Sequence, residues 1–196
     1  GGWSRDFKYL YLVSNKRDPR FFDMYQMDLE KFEPLMIYEN KENLTPAGIS
    51  NSGRYMALTR QLTTSNNEMY LMDLTTGDMK HISEHEGDAT YSPADFSLDD
   101  QYLYYISNEG SEFTYLSSYH METGEKALVY ETEWDVSYAY FSYNEKYQVI
   151  GINEDAKNVV KVFDTTSGDA VAMPDFGNRD ISGVSISRSE KLIRLA

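Results

Sequence analysis

Residues Phe141 to Gln148 read FSYNEKYQ, a strand, a tight turn and the start of a second strand. Nearly the same phrase occurs four more times: WSRDFKYL from Trp3, ISNSGRYM from Ile49, FSLDDQYL from Phe96 and ISRSEKLI from Ile186. Each runs apolar residue, Ser, any residue, a small polar or acidic residue, two more polar positions, then an apolar run. The serines are Ser4, Ser50, Ser97, Ser142 and Ser187, separated by 46, 47, 45 and 45 residues. Self-similarity at such a period marks a repeat architecture, and it outranks any local reading.

The third repeat shows what one unit contains. Tyr91 to Ser97 reads as a first strand, with Leu98-Asp99-Asp100 a tight turn, and Tyr102 to Ser107 as a second, ended by Asn108-Glu109-Gly110. Phe113 to His120 gives a third strand, Glu122-Thr123-Gly124 a hairpin loop, and Lys126 to Tyr130 a fourth. Four strands in one period describe a propeller blade. The second strands YLYLV (Tyr9 to Val13), YLYYI (Tyr102 to Ile106) and VIGI (Val149 to Ile152) are continuous apolar runs, not alternations. Strands covered on both faces read that way, whereas a two-sheet sandwich leaves one face of each strand wet. Stacked blades fit; a sandwich does not.

Blade repeats of roughly 3–48, 49–95, 96–140 and 141–185 follow, with a partial one at 186–196. The expected fold is all-β: about four four-stranded blades plus the start of a fifth. Ala47, Ala94 and Ala139 each precede an apolar anchor (Ile49, Phe96, Phe141) by two residues, and small side chains are expected where inner strands converge on an axis. The loop between third and fourth strands reads DLTTGD from Asp73, HMETGE from His120 and DTTSGD from Asp164. Asp accepts backbone N–H groups two residues on, and Gly supplies positive φ, so Gly77, Gly124 and Gly168 are expected in left-handed backbone. The first repeat keeps Asp28 but puts Phe32 near the Gly place, so its loop is expected to differ.

Composition sets the outer bounds. With 41% hydrophobic residues the chain can bury a core, and 17 Tyr favour pleated surfaces. The absence of Cys excludes disulfides, thiol catalysis and zinc–cysteine sites, and suits cytoplasm and periplasm equally. No apolar stretch is long enough to span a bilayer, and no charged-then-apolar signal segment stands out. A formal charge of −14 argues against nucleic acid, whose phosphates need clustered Lys and Arg. The acids are spread along the chain, as on a well-solvated surface. The sequon Asn43-Leu44-Thr45, followed by Pro46, reads as a chance match.

Residues that could carry chemistry fall to simpler readings. His81 and His85 have i, i+4 spacing, but that aims two ligands together only on a helix, and here a strand runs into a loop. His120 takes the place held by Asp28, Asp73 and Asp164, so it reads as a turn residue. A serine repeated in every unit serves the turn, its hydroxyl capping local backbone. No G-x-S-x-G elbow occurs, no Gly-rich phosphate loop precedes a helix, and no twelve-residue calcium loop is present. The chain is therefore expected to hold no catalytic, cofactor-binding or metal-binding residues and to cleave no aminoacyl or proline-linked substrate by itself.

The apolar-Ser-x-Asp phrase, the Tyr-rich strand after it and D-x-x-x-G resemble the propeller repeats of two groups. One is the N-terminal propeller of prolyl oligopeptidase family serine peptidases; the other is the TolB-type periplasmic propeller. YSPADFSLDDQYLYYISNEGSEFTYL from Tyr91 and WDVSYAYFSYNEKYQVIGINED from Trp134 look more like the peptidases, especially bacterial ones. The usual repeat phrase is Ser-Pro-Asp-Gly; here the Pro place holds Arg5, Asn51, Leu98, Tyr143 and Arg188, and only Gly53 retains the Gly. The resemblance implies a non-catalytic propeller that caps the cavity of a downstream α/β-hydrolase domain and admits short peptides. No triad residue carries over. The alternative is a TolB-like scaffold for protein partners. The chain opens at the end of an inner strand and stops inside a second strand, which is expected of part of a larger propeller. Exposed edges at both ends lead to the expectation of a homodimer, joined edge to edge or blade to blade.

Overall fold

The computed structural model describes residues 2–175, 177, 181 and 183–196. Seventeen strands and no helix make up the described chain. The first sheet orders β1 (Gly2–Trp3), β2 (Tyr9–Asp18), β3 (Phe21–Asp28) and β4 (Pro34–Tyr38) in sequence. The second does the same with β5 (Thr45–Ile49), β6 (Tyr55–Thr63), β7 (Asn66–Asp73) and β8 (Met79–His81). The third contains β9 (Tyr91–Phe96), β10 (Tyr102–Ser107), β11 (Tyr115–His120) and β12 (Lys126–Tyr130). The fourth has β13 (Asp135–Phe141), β14 (Tyr147–Glu154) and β15 (Lys157–Asp164); the last pairs β16 (Val184–Ile186) with β17 (Ile193–Leu195). Every ladder is antiparallel between sequence neighbours, so each sheet is an up-and-down meander. This is the propeller blade the repeat implied.

The second strands of blades two to four are buried on both faces. YLYLV of the first, expected to be covered likewise, is only partly buried, because the face carrying Leu10 and Leu12 turns away from the second blade, and Val13 is exposed. On β6, Met56 and Leu58 join a core with Met24 and Tyr38 of the first blade, while Ala57 between them joins Leu103 and Tyr105 of the third. On β14, Ile150 and Ile152 pack on Ile106 and Leu116 of the third blade, and Val149 packs on Val184 and Ile186 of the fifth. Four inter-blade cores therefore hold the array, and each large side chain buried there contributes about 1.5–3 kcal/mol. Gly151 lies under the Tyr138 ring, where an added Cβ would stand 2.1 Å from a ring carbon. Close ring-on-backbone packing explains that glycine.

Both turn types are regular. Each repeated serine accepts, at its Oγ, the N–H five residues on: Tyr9, Tyr55, Tyr102 and Tyr147 at 2.9–3.1 Å and Leu192 at 3.2 Å. The residue three after each serine is left-handed: Phe7, Gly53, Asp100, Glu145 and Glu190, with φ between 56° and 79°. In the outer hairpins Gly77, Gly124 and Gly168 have φ of 81°, 76° and 76°. Their N–H groups each donate to the carbonyl four residues back at 2.8 Å.

Several expectations need correction. The first blade's outer loop does not differ: Phe32 takes φ 56° and donates its N–H to the Asp28 carbonyl at 2.8 Å, as the glycines do. The hydrogen-bonding frame and Asp28, which accepts the Glu30 and Lys31 N–H groups, dictate the loop over the preference of Phe. Of the three alanines only Ala47 faces the axial space; Ala94 and Ala139 pack between the third and fourth blades. The third strand starts at Tyr115, not Phe113, because the Thr114 N–H and hydroxyl turn aside to Asp135 of the next blade, at 2.9 and 3.2 Å. The outer strand of the fourth blade is reduced to a bridge between Phe163 and Ala170, with Pro174 close behind. Closing four blades on themselves would require residues 181–187 to pair with Tyr9–Val13. Residue 182 lies outside the described residues, and Val184–Ile186 pair with Ile193–Leu195 instead.

Candidate functional site

Inner strands line a 490 Å³ funnel along the axis, and the turns that follow them form one rim. Trp3, Ala47, Ile49, Phe96 and Phe141 make its walls mostly apolar, while Asp95 and Glu145 bring carboxylates and Arg5 a guanidinium. Asp95 accepts the Phe141 N–H of the next blade at 2.8 Å and the Phe96 N–H at 2.9 Å. Burial nonetheless pushes its carboxyl above the usual carboxylate range, because desolvation outweighs those two bonds. Glu145 is likewise pushed up by burial, although it accepts the Leu98 N–H.

Acids at the left-handed turn position form a chain of clasps between blades. Asp100 Oδ2 accepts the Ser50 hydroxyl of the preceding blade at 2.9 Å and the Ser52 hydroxyl beside it. Glu145 takes the Leu98 N–H, one blade back. Glu190 Oε1 accepts the Ser142 hydroxyl at 2.6 Å and the Asn144 N–H at 2.7 Å. An L-residue in left-handed backbone costs about 1–2 kcal/mol. At these three positions the acid's reach to the neighbouring blade offsets that cost.

On the same rim the turns of blades one, four and five converge. The Tyr143 ring carries the Arg5 guanidinium 4.0 Å and the Arg188 guanidinium 4.4 Å from its centroid, and Arg188 also stands 4.3 Å over Phe7. The Tyr143 hydroxyl accepts from Arg188 Nη2 at 2.9 Å and donates to the Arg5 carbonyl at 3.1 Å. All three of Arg5, Tyr143 and Arg188 stand at the Pro place of the repeat phrase, one residue after its serine. The clasp acids also left a trace, standing three times where a glycine is usual.

The singled-out residues have structural places. His81 ends β8 with Nε2 3.2 Å from the Ser83 hydroxyl, and Ser83 is fully buried, accepting the Met69 N–H at 2.6 Å. His85 sits 2.7 Å from the Ser83 carbonyl and 3.0 Å from Asn66 Oδ1. Among the described residues no group of three metal-ligating side chains gathers. His120 Nδ1 accepts the Thr123 N–H at 3.2 Å, the turn role its position implied. The repeated serines bond to turn backbone and to carboxylates or hydroxyls: Ser4 to Asp6, Ser97 to Asp99, Ser142 to Glu190. Among the described residues no helix is long and apolar enough to cross a membrane.

These sheets and their axial funnel define a β-propeller. The family described as prolyl oligopeptidase, N-terminal β-propeller domain, matches residues 3–196, and the chain belongs to that family. A search of the curated proteins gave no match. Among solved structures, TolB from Acinetobacter baumannii is similar at 22% identity and TM-score 0.68, over 86% of this chain and 41% of that one. A putative TolB from Agrobacterium tumefaciens is similar at 15% identity and TM-score 0.72, over 99% and 67%. Prolyl oligopeptidase B from Galerina marginata, solved with a 35mer hydrolysis and macrocyclization substrate, is similar at 14% identity and TM-score 0.70, over 98% and 29%. At these identities the likeness concerns the fold. The chain spans well under half of the first and third of these structures.

Proposed function

We propose that this chain is the non-catalytic propeller portion of a prolyl oligopeptidase-type serine peptidase, and that its funnel filters peptides on their way to a downstream α/β-hydrolase domain. The observation that carries the reading is the 490 Å³ axial funnel in a chain matched over residues 3–196 by that peptidase propeller family. Its apolar walls suit peptide side chains, and its backbone-bound carboxylates leave room for a chain in extended form. The propeller's partners on this reading are its own hydrolase domain and peptide substrates, with a homodimer formed when the propeller portion stands alone. Function belongs to the site and not to the fold, so the test lies in the whole polypeptide.

The coding sequence beyond Ala196 should contain G-x-S-x-G followed by Asp and His. The complete polypeptide should cleave a short proline-linked chromogenic peptide and spare an unfolded protein chain, while residues 1–196 alone cleave neither. A stop codon soon after a completed propeller, with partners captured and no peptidase activity, would overturn the reading in favour of a TolB-like scaffold.

A further inference from the structure

We propose that Arg5 and Arg188, gathered on Tyr143 at the funnel rim, bind the carboxylate of an entering peptide. The proposal rests on the funnel being a peptide path and adds what chemistry it reads. Both guanidinium carbons lie close to one ring centroid, at 4.0 and 4.4 Å, so they stand no more than the two distances together, 8.4 Å, from each other. Both arginines also meet at the Tyr143 hydroxyl, Arg188 through Nη2 and Arg5 through its carbonyl, so a carboxylate accepting a hydrogen bond of about 2.9 Å from each guanidinium would reach them around that edge of the ring.

Like charges brought together at a cavity mouth call for an acceptor. Arg17, Arg20, Arg54 and Arg60 each pair with a carboxylate. Among the described residues Arg5 and Arg188 form no salt bridge, and the only hydrogen bond from either guanidinium is Arg188 Nη2 to Tyr143. The chain's formal charge is −14, so acids were available to neutralise them. The two acids of the funnel are committed elsewhere: Asp95 to the Phe96 and Phe141 N–H groups, Glu145 to the Leu98 N–H. Burial raises both carboxyls above the usual carboxylate range, although Arg5 itself draws Glu145 towards its charged form. Arg5 lines the funnel itself, as do Phe7 and Tyr143, so a carboxylate held there places the rest of its peptide against the apolar walls. Planar guanidinium forks stacked on an aromatic ring are pre-organised for carboxylate oxygens.

Calorimetric titration of the chain with one acetyl-capped pentapeptide of alanine and phenylalanine tests this, prepared as free acid and as C-terminal amide. A third peptide, an amide with glutamate in place of its last residue, separates a side-chain carboxylate from a terminal one. The free acid should bind at least tenfold more tightly than the plain amide, and added salt should shrink the difference. The pair Arg5→Gln and Arg188→Gln should erase that preference, weakening the free acid at least tenfold more than the plain amide. Arg5→Lys, which keeps the charge, should retain part of it and covers the case in which the double variant does not fold. A glutamate amide that binds like the acid supports carboxylate reading from either source; one that binds like the plain amide supports the terminal carboxylate. Equal binding of acid and plain amide would overturn the proposal and leave the peptide funnel standing. No binding of any peptide at millimolar concentration would overturn both.

Discussion

Replacing Phe32 with glycine should stabilise the protein, although it deletes a large aromatic side chain. Phe32 holds φ 56° at the position where Gly77, Gly124 and Gly168 hold 76–81°, and its side chain is 69% exposed. Left-handed backbone costs an L-residue about 1–2 kcal/mol, and glycine none. Against that gain stands the larger freedom glycine has when unfolded, about 0.5–1 kcal/mol. The ring contributes little burial, so the net gain should be about 0.5–1 kcal/mol. For a chain of this length that raises Tm by about 1–4 °C. Urea unfolding followed by tryptophan fluorescence measures it, alongside Phe32→Ala, which removes the ring and keeps the Cβ that causes the strain. Phe32→Ala should gain nothing. The mirror change, Gly168→Val, should cost about 1–2 kcal/mol from strain alone, because an added Cβ there meets no atom within 4 Å. If Phe32→Ala stabilises as much as Phe32→Gly, exposed apolar surface and not backbone strain is the cause, and the reasoning fails.

Glu190→Ala removes the acceptor for the Ser142 hydroxyl and the Asn144 N–H, and should cost about 1–3 kcal/mol in urea unfolding; an unchanged midpoint would show that the clasp is incidental. Two aspartates should give opposite pH signs in Tm. Asp95, pushed up by burial, binds its proton more tightly folded than unfolded, so relative to Asp95→Asn the wild type should lose stability as pH rises from about 3.8 through the raised value. Asp23, held down by its hydrogen bond to Arg17, releases its proton more readily when folded, so relative to Asp23→Asn the wild type should lose stability as pH falls through and below about 3.8. Matching pH slopes for the two variants would contradict the assignments. Light scattering of residues 1–196 at micromolar concentration should report a dimer. Trp3, Leu10, Leu12, Tyr25 and Met36 share the face of the first blade turned away from the second, and Trp3 is 60% exposed. A sharp monomer mass would mean that face needs no cover.

What the sequence made legible was whatever acts within one repeat. Strand order, the serine turns and the glycine hairpins each depend on near neighbours in the chain, so a period of 45–47 residues exposed the serine turn five times and the glycine hairpin three times. Phe32 misled because propensity was read without the hydrogen-bonding frame that overrides it. Ala94 and Ala139 misled because small size was assigned to the axis when the space between blades also requires it. The clasps join positions 44–50 residues apart, beyond any local pattern. They could still have been inferred, since Asp100, Glu145 and Glu190 occupy a place that strains any L-residue and so needs compensation. The arginine cluster on Tyr143 left half a trace: Arg5, Tyr143 and Arg188 each follow a repeat serine, but Arg5 and Tyr143 lie 138 residues apart and meet only because the blades curl about an axis.

The central claim, that peptides pass through this funnel, is tested most directly by bridging its rim. The chain has no cysteine, so cysteines placed at Phe7 and Leu98, which line the funnel from blades one and three, can be joined in the complete polypeptide by a short bifunctional maleimide, with any cysteine elsewhere replaced. Rates are then compared for a proline-linked dipeptide substrate and for a peptide of about a dozen residues. The account predicts that bridging leaves the dipeptide rate nearly unchanged and suppresses the longer peptide at least tenfold. Equal rates on the longer peptide before and after bridging would mean that substrate enters by another route, and the funnel reading would be wrong.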